Sequence, residues 1–192
     1  MEWRPYATLD LGERGLLPAG WTDAVAALAA RPERKTVIAS PAWSFAIVEG
    51  DQVRAHLGWL WTLYHGPLRT FAARAVGYPL FANNRLTSAM TLNILSGAGA
   101  TNEWHRDSNA VTGVFYAHVG EGGGDLAFRD DAGRIARLVP ITGLFVCFEG
   151  AIDHRVEPLG DAGPRLAIAM VYHRSPIDQP RAFGRDIYML DG

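Results

Sequence analysis

The stretch EWHRDSN, residues 103–109, sets His105 and Asp107 two positions apart with Arg106 between them. Imidazole and carboxylate both ligate divalent metals, so the spacing decides whether they can act together. On an extended strand, residues i and i+2 project from the same face about 6.6 Å apart, close enough to reach one ion. On a helix the same spacing would splay them. Two side chains hold a transition metal poorly, and a third ligand has to come from elsewhere in the chain. Taken alone, the tripeptide is more often a solvated strand end than a site. A kinase catalytic loop is excluded, because Thr112 stands where an asparagine is needed and no glycine-rich nucleotide loop precedes it.

Among the remaining histidines, His154 in AIDHRVEPLG stands out, since it opens a β-rich segment after a short acidic loop. His56 and His65 lie in helical-looking sequence, and His118 and His173 close strands; these four read as core or surface side chains. Two histidines and one carboxylate on a β scaffold make the facial triad of non-heme Fe(II) oxygenases. Arg165 raises a separate question. Its strand alternates Arg165, Ala167, Ala169 and Val171 on one face with Leu166, Ile168, Met170 and Tyr172 on the other. The small residues beside the arginine leave room, and a guanidinium facing such a space is costly unless an anion fills it. Its planar fork suits bidentate capture of a carboxylate. The competing reading is a structural ion pair with Glu157 or Asp161.

These residues need a frame to hold them. From residue 88 the hydrophobic period is two: SAMTLNILS, AVTGVFYAHV, GDLAFRD, RIARLVPITGLFVCFEG, DHRVEPL and PRLAIAMVYHR follow one another across Gly- and Asp-rich turns. No helical segment intervenes, which argues against βαβ units and for a double-sheet jelly roll. The first part reads as helix: GWTDAVAALAARPERK with Thr22 or Asp23 as N-cap, then GDQVRAHLGWLWTLYHGPLRTFAARAVG, broken near Gly66-Pro67. In the second of these, Leu57, Leu60, Trp61 and Tyr64 recur at helical spacing and form a packing stripe. The expected organisation is one domain over 1–192. Residues 1–87 are mostly helical support, 88–174 the jelly-roll core and 175–192 a C-terminal tail.

Composition limits the functions available. At 192 residues, 48% hydrophobic and 20% charged, the chain can bury a core without help. A net charge of −2 with no run of like charges disfavours nucleic acid or an anionic membrane as partner. The N-terminus lacks a signal-peptide pattern, and no apolar run nears the roughly 20 residues of a membrane span. A single cysteine, Cys147 in the strand-like GLFVCFEG, excludes an intramolecular disulfide and fits a reducing cytoplasm and a structural thiol.

The ordered set of motifs from about residue 88 to 174 resembles the iron(II)- and 2-oxoglutarate-dependent dioxygenases, on the prolyl-hydroxylase-like branch. The motifs are His105-Arg106-Asp107, then GGDLAF, PITGLFVCF and HRVEPLGDAGPR. The resemblance implies a mainly β, double-stranded β-helix (cupin-like jelly-roll) core with flanking helices. It implies that His105, Asp107 and His154 bind Fe(II), and that Arg165 pairs with the distal carboxylate of 2-oxoglutarate. Tyr116 aligns with a tyrosine that in some relatives hydrogen-bonds the same carboxylate, and Asn93 lies on the strand face that looks into the barrel. Trp104, Asn102 and Asn109 flank the first ligands and become candidate substrate contacts. Two departures, Asn102 in place of a large apolar residue and Ala167 in place of Ser or Thr, touch the pocket rather than the metal.

The implied activity is oxidation, by default hydroxylation, of a small molecule with O2, as 2-oxoglutarate is decarboxylated to succinate and CO2. Desaturation, cyclisation and epimerisation stay open, and halogenation does not fit a chain that keeps Asp107. The alternatives are hydroxylation of a peptide or protein side chain, or a metal-cupin dioxygenase or binding module that does not use 2-oxoglutarate.

Overall fold

The computed structural model describes residues 3–179 apart from 41, 121, 161 and 162. In chain order the strands are β1 (Tyr6–Asp10), β2 (Lys35–Ala39), β3 (Ser44–Val48), β4 (Phe81–Ala82), β5 (Met90–Ser96) and β6 (Asn102–His105). They continue with β7 (Val111–His118), β8 (Leu126–Arg129), β9 (Ile135–Leu138), β10 (Leu144–Glu149), β11 (Asp153–Val156) and β12 (Arg165–His173). The helices are α1 (Trp21–Ala29), α2 (Gly50–His56), α3 (Gly58–Leu63), α4 (Arg69–Val76) and α5 (Leu86–Ala89).

All strand pairs are antiparallel. The larger sheet runs β1-β10-β7-β12-β5-β3-β2, with β4 added to the end of β12, and the smaller runs β6-β11-β8-β9. This is the double-sheet jelly roll expected from the two-residue period. The even face of β12 (Leu166, Ile168, Met170, Tyr172) packs into a core with Val25, Val53, Leu57, Leu60 and Leu68 of the helical region. The odd face looks toward the smaller sheet. There Val114, Tyr116, Leu126, Phe128, Val146 and Phe148 form the inter-sheet core. Sheets present one face to each layer because successive side chains alternate, so one strand serves both cores.

The helices are tied to the sheet by polar links as well as by burial. Tyr64 Oη donates to Val171 O at 2.7 Å and accepts the Asn83 amide at 2.7 Å, while Tyr172 Oη donates to Tyr64 O at 3.2 Å. The expected break falls at Gly66, whose φ of −107° and ψ of −106° leave the helical range just before Pro67.

Two details differ from the sequence reading. Helix α1 starts at Trp21 after a left-handed Gly20, so neither Thr22 nor Asp23 caps it. The first 87 residues hold β1 to β4 as well as helices, because β1 and β3 are recruited by partners far along the chain, β10 and β5. No local periodicity signals such pairings. Of the expected tail, residues 180–192 lie outside the described residues. Among the described residues, no helix is long and apolar enough to cross a membrane.

Candidate active site

His105 closes β6 and stands directly across from His154 on β11, with ring centroids 4.2 Å apart. The pairing steps from His105 to Asn102 on β6 while moving only from His154 to Val156 on β11. That extra residue is a bulge, which returns Asn102 to the cavity side with His105 and leaves Trp104 on the outer face. Each imidazole Nδ1 faces a backbone carbonyl two residues earlier on its own chain: Glu103 O at 2.6 Å for His105 and Ile152 O at 2.8 Å for His154. A carbonyl can only accept, so Nδ1 carries the proton and each Nε2 keeps its lone pair for the centre.

Asp107 lies beyond the end of β6, so the i, i+2 spacing converges by a route other than a shared strand. Its backbone N–H donates to Gly150 O at 2.8 Å. A Cβ on Gly150 would sit 2.3 Å from Asn109 O and 3.1 Å from Asp107 Cβ, so only glycine lets the two turns meet. The carboxylate then faces both rings, with Oδ1 3.8 Å from His105 Nε2 and Oδ2 3.7 Å from His154 Nε2. Taken together, the three potential ligand atoms lie within 4.8 Å of one another. Two donors each about 2.1 Å from one ion are at most roughly 4.2 Å apart, so both carboxylate–imidazole spacings fit a shared metal. Burial holds His154 below its ordinary value, with the Asp107 carboxylate opposing and His105 reinforcing that shift. A neutral imidazole is the form that ligates.

Arg165 opens β12 on its cavity face and is only 3% exposed. Its guanidinium carbon lies 5.0 Å from the Tyr116 ring centre. Arg165 Nε and Tyr116 Oη are both buried without a hydrogen-bond partner among the described residues. Burial raises the Tyr116 phenol above its usual range, against the pull of Arg165, which keeps it a neutral donor. Glu157 does not pair with Arg165; it is taken by Arg137 and Arg155, each at 3.1 Å. Asp161 lies outside the described residues. A buried cation beside a buried hydroxyl is chemically suited to an oxygen-rich anion.

The histidines, Asp107 and Arg165 line one cleft between the sheets, with a cavity volume of about 120 Å³. One water needs only about 10–15 Å³ on the same measure, so the cleft has room for a small ligand. Of the other expected residues, Asn93, Asn102 and Asn109 also line it. Asn93 Oδ1 accepts from Thr91 Oγ1 at 3.1 Å, and Asn109 is turned into the wall, donating to Thr112 Oγ1 at 2.8 Å. Trp104 is not brought to the cleft. It lies between the guanidiniums of Arg129 and Arg155, at 4.4 and 4.9 Å, and so does not meet the expectation of a substrate contact.

The cleft walls that sequence reasoning missed include Phe45, Ile47, Ser88, Thr91 and Thr112. Thr112 could have been found, since it shares the alternating face of Val114 and Tyr116. Cys147 is a free, buried thiol with its pKa pushed up by burial to about 12, which fits the structural role expected of it.

No family model and no curated protein matches the chain. Solved structures do match. A 2OG-Fe(II) oxygenase family oxidoreductase from Burkholderia pseudomallei aligns with a TM-score of 0.69 at 14% identity, covering 90% of this chain and 86% of that one. A non-heme alpha-ketoglutarate-dependent epimerase from nogalamycin biosynthesis aligns at 0.67 and 16%, covering 88% and 77%. A prolyl-4-hydroxylase from Pseudomonas putida aligns at 0.57 and 20%, covering 89% and 93%. The chain therefore has the double-stranded β-helix fold of the 2-oxoglutarate- and iron(II)-dependent oxygenases. At such identities the likeness concerns the fold, and the chemistry has to be argued from the side chains.

Proposed function

We propose that this protein is an Fe(II)- and 2-oxoglutarate-dependent oxygenase that hydroxylates a small-molecule substrate. One observation carries the reading: the His105–Asp107–His154 convergence shares a cleft with a buried Arg165 whose Nε, like the neighbouring Tyr116 Oη, has no partner among the described residues. A metal alone would use the triad and leave the arginine stranded. A dicarboxylate would satisfy both the metal and the guanidinium. Iron and 2-oxoglutarate, when bound, supply oxygen activation coupled to decarboxylation, with succinate and CO2 as products.

The chain's own residues bind and orient. His105, Asp107 and His154 would hold the metal, a donor set of two imidazoles and a carboxylate that suits non-heme iron. Arg165 and Tyr116 take the distal carboxylate, and Ala167, beside Arg165 on the same face, keeps the space open. Asn93 lines the cleft with its carbonyl engaged by Thr91, and its amide would be the group offered to the cosubstrate. Phe45, Ile47, Phe148 and Val156 give apolar walls that exclude water. The remaining polar lining, Ser88, Thr91 and Asn102, is short and uncharged and suits a compact substrate. A cytoplasmic setting goes with this reading.

The test is Fe(II)-dependent conversion of 2-oxoglutarate to succinate by the purified protein, followed by mass spectrometry. Succinate that appears with Fe(II) and not after chelation supports the proposal. Bound metal with no 2-oxoglutarate consumed would favour a metal-cupin instead.

A further inference from the structure

We propose that Thr112, itself held by Asn109, is a positioning residue that fixes the Asp107 carboxylate for metal binding. This rests on reading His105, Asp107 and His154 as a metal site. Thr112 Oγ1 donates to Asp107 Oδ2 and accepts from Asn109 Nδ2 at 2.8 Å. A hydroxyl has one proton. With one of its two lone pairs taken by the amide, the hydroxyl is turned so that this proton points at the carboxylate. Both residues are buried, at 6% and 5% exposure, so water does not compete for the relay. Asn109, expected as a substrate contact, is thereby committed to the protein.

The relay matters because of where Asp107 sits. It lies past the end of β6, in a loop anchored at this residue by the N–H to Gly150 O. The Thr112 bond is the one hydrogen bond to its carboxylate among the described residues. Thr112 belongs to β7 of the larger sheet, whereas His105 and His154 belong to the smaller. The bond thus pins the third ligand across the gap between sheets. It also engages Oδ2, leaving Oδ1 with its lone pairs free toward His105. Holding the side chain in one rotamer removes the entropy that a freely turning carboxylate would lose on binding metal.

The test uses the full chain stripped of metal, with Mn(II) as the probe and calorimetric titration as the readout. Thr112→Val, which keeps shape and loses the donor, should weaken Mn(II) binding about 10–100-fold. Thr112→Ser should restore wild-type affinity. Asn109→Ala, which leaves the hydroxyl in place but free to turn, should shift affinity in the same direction by less. It keeps the proposal testable if Thr112→Val does not fold. Thermal unfolding of each metal-free variant reports structural loss separately. Wild-type affinity in Thr112→Val, or a Thr112→Ser variant as weak as Thr112→Val, would overturn the proposal while leaving the metal site intact. A wild-type protein that binds no Mn(II) would remove the metal reading and this inference together.

Discussion

Replacing Arg165 with alanine removes the one buried arginine among the described residues. Its worth to a dicarboxylate follows from its surroundings. Arg165 is 3% exposed, its Nε has no partner among the described residues, and Glu157, the expected acidic partner with described geometry, is occupied by two other arginines. Removing one member of such a desolvated charge pair costs about 2–5 kcal/mol, or roughly 30- to several-thousand-fold in affinity. Arg165→Lys keeps the charge and loses the planar fork, so it should fall between wild type and alanine. The assay is calorimetric titration of 2-oxoglutarate into Mn(II)-loaded protein, with metal content measured separately. A second readout separates the two roles open to this arginine. If Arg165 serves an absent anion, alanine leaves the thermal stability of the ligand-free protein unchanged or higher. If it serves a structural ion pair, alanine lowers it. Unchanged 2-oxoglutarate affinity with metal retained, together with lost stability, would refute the receptor reading.

Alanine at His105, Asp107 or His154 should reduce Fe(II) and Mn(II) affinity by more than the roughly 10–100-fold typical of a supporting residue, and abolish succinate formation, with the circular dichroism spectrum kept. Gly150→Ala should destabilise the fold by about 1–3 kcal/mol and weaken metal binding, since its Cβ would stand 2.3 Å from Asn109 O; denaturant unfolding and metal titration check the two effects. His173 is 4% exposed, and burial, aided by Arg85, lowers its pKa from the ordinary 6.5. Its unfolded form therefore binds protons more readily. The resulting stability is present above about pH 6.5 and is lost as pH falls toward the folded value. Melting temperatures of the metal-free protein between about pH 5 and 8 should show that fall in wild type and a shallower one in His173→Leu.

The frame and the site were legible to different depths. Strands β5, β7, β8, β10, β11 and β12 show in the sequence because alternation and glycine turns are local signals. The same alternation placed Arg165, Ala167, Ala169 and Val171 together, and all four line the cleft. Strands β1 and β3 were hidden because their partners are distant in sequence. His105 and Asp107 converge as their spacing suggested, yet through a turn held by Gly150 rather than along one strand. Trp104, the direct neighbour of His105 on β6, faces outward by strand alternation, while the bulge in β6 brings Asn102 inward. The Thr112–Asp107 bond joins residues close in sequence, but nothing in the sequence states that the loop between them folds back.

On the proposed reading, one cleft holds a metal at His105, Asp107 and His154 and a dicarboxylate between that metal and Arg165. The most direct measurement is anaerobic addition of Fe(II), then 2-oxoglutarate, to the purified protein while its visible spectrum is recorded. Fe(II) alone should give no band, and 2-oxoglutarate should bring up a weak charge-transfer band as it chelates the iron. In Arg165→Ala the band should need far higher 2-oxoglutarate. Iron bound in stoichiometric amount with no band at saturating 2-oxoglutarate would contradict that reading.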